Sequence, residues 1–152
     1  FQIRNRAEFL ATFEETTRTF TFLLAGIAAV SLLVGGIGIM NIMLVSVVER
    51  TKEIGLRKAV GATNRDILEH FLLEAVMLTT LGGVFGIAIG SLLTGGLYLI
   101  LKNTLPTGWA FSLPLSSIGL AVLVATLTGI IFGLYPARKA SLKNPIDALR
   151  YE

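Results

Sequence analysis

The chain of 152 residues contains no cysteine, and histidine and tryptophan occur once each, as His70 and Trp109. Without cysteine it builds no disulfide framework and no cysteine nucleophile, and one histidine supplies no structural zinc site. Charge is also scarce, at 15% of residues, while 53% are hydrophobic. With a mean hydropathy of +0.75, that is more apolar surface than one small water-soluble core can bury, which excludes an ordinary soluble domain. A net charge of +3 would suit a nucleic-acid partner, but the basic residues sit at the edges of apolar runs and form no stripe interleaved with aromatics. No nucleic acid is therefore expected.

What is present is apolar length. Thr19 to Val48, Ala75 to Leu101 and Asn103 to Ala137 carry no Asp, Glu, Lys, Arg or His and run for 30, 27 and 35 residues. About 20 apolar residues cross a bilayer, so three spans are expected. The first covers 20–48, and at 1.5 Å per residue its roughly 45 Å leaves room to tilt or project. The second covers 74–101. The third run contains Pro106, Gly108 and Pro114 and divides into a loop, 102–115, and a helix, 116–136, that Pro136 ends or kinks. Spans without ionisable groups lack what ion-coupled transporters and proton pumps keep at membrane depth.

Lys and Arg set the orientation. Nine fall in 49–74 and the tail 137–152, against four in residues 1–19 and the second loop. This places 49–73 and the carboxyl end in the cytoplasm, the amino end outside, and Tyr98, Trp109 and Phe111 near the outer boundary as an aromatic belt or as ordinary packing residues. An outer amino end needs an export device, and Phe1 begins no signal-like layout. A further span and an external domain upstream are thus expected. In residues 7–20, Phe9, Phe13, Thr16 and Phe20 fall near one helix face, which suits an amphipathic external stalk, assigned to 1–19, more than a frayed helix start.

Small residues recur at helical spacing. Gly82, Gly86, Gly90 and Thr94 lie four apart in the second span, and Ala121, Ala125, Gly129, Gly133 and Ala137 in the third. Such stripes let backbones approach closely, and a tight pairing of these spans is expected. Gly35, Gly36 and Gly38 mark a packing notch or a hinge in the first span, and Asn41 an interhelical hydrogen bond.

The charged segment 49–73 balances acids and bases, so it is no polybasic lipid anchor. A short helix is predicted between Lys52 and Val60, capped by Gly61, with Thr63 and Asp66 opening the next helix as a capping box. Ile54, Leu56, Ala59 and Val60 offer apolar contact, and Arg50, Lys52, Glu53, Arg57 and Lys58 offer charge, for a docking knob; a solvated interfacial loop is the alternative. In the tail, Asn144, Pro145 and Asp147 suit the start of a terminal helix through Arg150.

The run from Val34 through Ile54-Gly55-Leu56-Arg57-Lys58-Ala59-Val60-Gly61 to Thr63, the block Phe71-Leu-Leu-Glu-Ala75, and the endings Tyr135-Pro-Ala-Arg-Lys-Ala140 and Asn144-Pro-Ile-Asp-Ala-Leu149 resemble the MacB/FtsX-like permease family of ABC transporters, nearest its macrolide-exporter branch. The resemblance implies an all-α membrane protein: the last three of four spans, a short cytoplasmic coupling helix within Arg50 to Ala62, and the external stalk. It also implies a bacterial or archaeal inner membrane, a second permease protomer as homo- or heterodimer, and an ATP-binding cassette, fused or separate. A periplasmic adaptor or other extracytoplasmic partner is a further expected contact. Mechanotransmission would drive export of drugs, peptides or lipoproteins from the outer side; the alternative is an FtsX-like scaffold acting on an external hydrolase. The chain has no Gly-x-x-x-x-Gly-Lys-Ser/Thr phosphate loop, so it is expected to be a permease and not the enzyme, with Mg-ATP held by the cassette and no cofactor of its own. A channel is disfavoured by the lack of pore-lining charge.

Overall fold

The computed structural model describes residues 2–104 and 114–144, all of them helical apart from short connections. Four helices follow in order: α1 (Gln2–Glu49), α2 (Thr51–Ala59), α3 (Asn64–Thr104) and α4 (Leu115–Ser141). Three are long and apolar enough to cross a membrane, through Glu8–Glu49, Asn64–Lys102 and Leu115–Ser141. The first two outrun their uncharged stretches because charged helix formers extend the turns beyond the apolar length, whereas the third begins inside its run and passes only its end. Most of the expected loop, with Pro106, Gly108, Trp109 and Phe111, lies outside the described residues, as does the expected terminal helix from Pro145 to Arg150.

The chain forms two compact units, residues 1–35 and 36–152. In the first, every described side chain is exposed. Thr12, Thr16, Thr17, Thr19 and Thr21 turn their hydroxyls back to carbonyls four residues earlier, at 2.8–2.9 Å, which satisfies them without a neighbour. Phe9 and Phe13 stack on each other with centroids 6.2 Å apart.

The second unit has a core, and it sits where all four helices contribute. Met43 and Val47 of α1, Ile54 of α2, Ile67, Phe71 and Ala75 of α3, and Ala137 and Ala140 of α4 are each at most 2% exposed. Above it α3 and α4 pack side by side through small residues. The α4 line runs through Ala125, Gly129 and Gly133; a Cβ at Gly133 would collide with the Ala75 side chain, and one at Gly129 with the Thr79 hydroxyl and the Val76 backbone. The α3 line is Ala75, Thr79 and Gly83, the last facing Ala125. It keeps the four-residue period expected from sequence but stands one residue away from Gly82, Gly86 and Gly90, where an added Cβ meets no atom within 4 Å. One residue is roughly 100° around a helix, so these glycines point away from α4. Phase is set by where Phe71 and Ala75 enter the core, which glycine spacing does not encode.

Thr79 and Thr128 are buried, and their hydroxyls bond back to Val76 at 3.0 Å and Val124 at 2.8 Å. In the 36–152 unit Gly36 accepts the Phe132 ring, which a Cβ would displace. Gly36 is thus a packing notch. Asn41 is exposed, and among the described residues no interhelical bond holds it. Of the two outcomes expected of Pro136, the first is excluded, because α4 continues through it to Ser141 with the proline ring fully buried. Its missing N–H costs one helix bond, which burial of the ring against the core offsets.

Candidate functional site

The charged segment between the first and second apolar helices is built by local rules. After α1, Arg50 leaves the helical basin (φ −90°, ψ 15°), and the Thr51 hydroxyl donates back to Val47 at 3.0 Å and Val48 at 2.7 Å. The chain then enters α2 with Glu53 in its first turn and Arg57 and Lys58 in its last, the order that suits the helix dipole. Glu53 and Arg57 pair at 2.6 Å, one turn apart and exposed.

Helix α2 stops through a Schellman motif. The Gly61 N–H donates to Lys58 O and the Ala62 N–H to Arg57 O, each at 3.0 Å, while Gly61 takes φ +110°, a conformation that favours glycine. Two residues on, Thr63 and Asp66 cap α3 reciprocally. The Thr63 N–H donates to the Asp66 carboxylate at 2.8 Å, and the Asp66 N–H donates to the Thr63 hydroxyl at 3.2 Å, the box expected from sequence. Hydrogen bonds from Thr63 hold the Asp66 carboxyl below its ordinary pKa. Its neighbour Arg65, hydrogen-bonded to Glu69 at 2.7 Å, is raised above the usual arginine value.

The turn between α2 and α3 is therefore specified at every residue, and α2 has a defined inside and outside. Ile54 and Gly55 are buried and Lys58 is half-buried. Leu56 and Val60, at 59% and 82% exposed, point outward, with Arg50, Lys52, Glu53, Arg57, Ala59 and Gly61 also exposed. Leu56, Arg57, Val60, Asp66, Ile67 and His70 line a shallow groove between α2 and the start of α3. Arg50 reaches across to Glu74 of α3 at 3.2 Å. His70 is exposed, its ring edge-on to Phe71 at 5.9 Å.

The eleven positions from Arg50 to Gly61, Thr51 aside, singled out in the sequence thus lie on one short helix and its ends, but they divide between core and surface. Sequence reasoning grouped Lys58 with Arg57 as surface charge. The structure turns Lys58 inward, where its ammonium meets Asn64 Oδ1 at 2.7 Å, Lys143 O at 2.8 Å and the Ser141 carbonyl. Those carbonyls lie over eighty residues away in sequence, beyond any local pattern. Among the described residues no group of three His, Asp or Glu side chains is placed to hold a metal ion.

The FtsX-like permease C-terminal family matches residues 25–145, which takes in α2, α4 and every core residue. The chain belongs to the FtsX-like permease family. Among curated proteins it is similar to the macrolide export ATP-binding/permease protein MacB of Bdellovibrio bacteriovorus, 51% identical over the whole chain and 22% of that protein. The Escherichia coli K12 protein of the same name is 49% identical over 94% of the chain and 21% of its own length. The uncharacterized ABC transporter permease YknZ of Bacillus subtilis is 47% identical over the whole chain and 37% of its own length. The chain spans between about a fifth and two fifths of these relatives. As an FtsX-like permease with three long apolar helices, it is a multi-pass membrane protein.

Proposed function

We propose that this chain is the membrane portion of an ATP-driven ABC exporter in which α2 is the docking element for the ATP-binding domain or subunit. The carrying observation is the fixed presentation of α2. A short helix is ended by a Schellman turn that leads straight into the capping box of α3, anchored by Ile54, and left with Leu56, Arg57 and Val60 exposed beside a groove. Such a surface, apolar at its centre with charge around it, is what a protein partner needs for docking. The curated relatives whose names include ATP-binding or ABC transporter permease support that choice of partner.

The predominance of Lys and Arg at the α2 end and in the tail supports a cytoplasmic location for both and an outer location for the start of the chain. Mg-ATP belongs to the partner, and a second permease protomer completes the membrane part. Nucleotide-driven closure would displace α2 and, through α1, the segment 7–20 on the far side, expelling drugs, peptides or lipoproteins there with the help of an extracytoplasmic adaptor. Uncharged spans agree with work transmitted along helices and not with passage of a solute between them. The test is association: Leu56→Asp and Val60→Asp in the full-length permease should abolish co-purification of the ATP-binding partner and its stimulated hydrolysis while membrane insertion is retained. Retained association in both variants would remove α2 as the docking element.

A further inference from the structure

Lys58 and Arg57 are adjacent cations, yet they differ in what they hold. Arg57 lies on the exposed side of α2 and pairs with Glu53 in its own helix. The Lys58 ammonium has three protons to donate and meets three acceptors: Asn64 Oδ1 in the first turn of α3, and the carbonyls of Ser141 and Lys143 where α4 ends. An ammonium so placed has no donor left for an outside carboxylate. Among the described residues it makes no ion pair, and the charged residues described at the α4 end, Arg138, Lys139 and Lys143, are all cations. What offsets that repulsion is the end of α4 itself, whose last carbonyls lack helical donors and carry the negative end of the helix dipole. Charge-assisted bonds to such carbonyls are among the stronger ones a lysine makes. Close approach is allowed by Ala137 and Ala140, both fully buried, and by Ser141, whose hydroxyl is turned back to Arg138 at 2.9 Å.

We infer that Lys58 is a positioning residue, an internal clasp that makes α2, the start of α3 and the end of α4 move as one body, and that it is not part of the docking surface. The significance for transport rests on the docking role proposed above: force received on Leu56 and Val60 reaches α4 directly through Lys58, in parallel with the covalent route into α1 and α3. The clasp itself does not depend on which protein docks.

The region contains no cysteine, so spin labels can be introduced at Lys52→Cys and Leu142→Cys, both exposed, in the full-length, otherwise cysteine-free permease in lipid nanodiscs. Pulsed electron-spin distance measurements should give one narrow distance in the parent protein, unchanged by nucleotide when the ATP-binding partner is present. Lys58→Met should lose that narrow distance and make it nucleotide-dependent, while Lys58→Arg, which keeps a cation, restores it. Association with the partner should survive Lys58→Met and fail in Leu56→Asp. A narrow distance in Lys58→Met, or its loss in Lys58→Arg as well, overturns the clasp, as does loss of partner association in Lys58→Met equal to that in Leu56→Asp. If Lys58→Met does not insert, Lys58→Gln gives the same comparison. Retained association in Leu56→Asp with a broadened distance in Lys58→Met would overturn the docking role and leave the clasp standing.

Discussion

Residues 1–35 and residues 36–152 are both strongly apolar, and they treat that property in opposite ways. In the first unit Phe20, Phe22, Leu24 and Ile27 are each more than 60% exposed, and no described side chain is buried. In the second, Phe71 and Ile67 are 2% exposed and Ala75 is wholly enclosed. Hydrophobicity therefore does not decide what is inside this protein, because lipid solvates an apolar side chain as well as a core does. Contact is decided by small residues in phase with each other and by turns whose hydrogen bonds fix where the next helix begins.

Substitutions matched across the two regions sharpen this contrast. The largest effect is expected from truncating a buried aromatic: Phe71→Ala should lower unfolding stability in detergent by about 3–5 kcal/mol, as for other enclosed rings, whereas Phe20→Ala should leave the midpoint unchanged. Equal losses would mean that residues 1–35 possess a core of their own. Next comes overpacking. Gly133→Val drives a side chain into Ala75 and should cost about 1–3 kcal/mol in the same unfolding measurement. Gly86→Val, where space is open, should change stability by less than about 1 kcal/mol. A reversed order would shift the α3 contact line back onto the Gly82, Gly86 and Gly90 face.

Smaller effects test the turn. Thr63→Ala removes one half of the reciprocal cap and should cost about 1 kcal/mol, seen as faster amide exchange at Arg65, Asp66 and Ile67 without change around Gly129. The smallest concerns pH. Because the Asp66 carboxyl is held below its ordinary value, its contribution is fully present above the unfolded carboxyl pKa, about 4, and is lost as pH falls through the lower folded value. Exchange in the first turn of α3 should therefore rise on acidification below about pH 4, and Thr63→Ala should flatten that rise. An acid response identical in the two proteins would assign it to another group.

Much of the architecture was legible because its causes are local. Three uncharged runs named three apolar helices, Gly61 named the end of α2, and Thr63 with Asp66 named the start of α3. These signals involve residues within a turn or two of each other. The α4 stripe through Gly129 and Gly133 could be written down from spacing, and the matching α3 line could not. Its phase follows from which side of α3 carries Phe71 inward, and glycines at 82 and 83 leave two phases open. Whether α4 ends at Pro136 or passes through it was left open by the sequence, since a proline's tolerance depends on what buries its ring. Lys58 was the least legible: its side chain alone resembles Arg57, and its partners are main-chain atoms far along the chain.

That last point bears on how freely the end of α4 can vary. The ammonium reads peptide oxygens, which every amino acid supplies, so positions 141 and 143 are not constrained in identity by this bond. The half-buried side chain at 143 is at liberty to change, or to take up other duties, whereas Ser141, 3% exposed, is held to a small residue by packing and not by the bond; beyond that, an alteration that bends the main chain itself would be felt at Lys58.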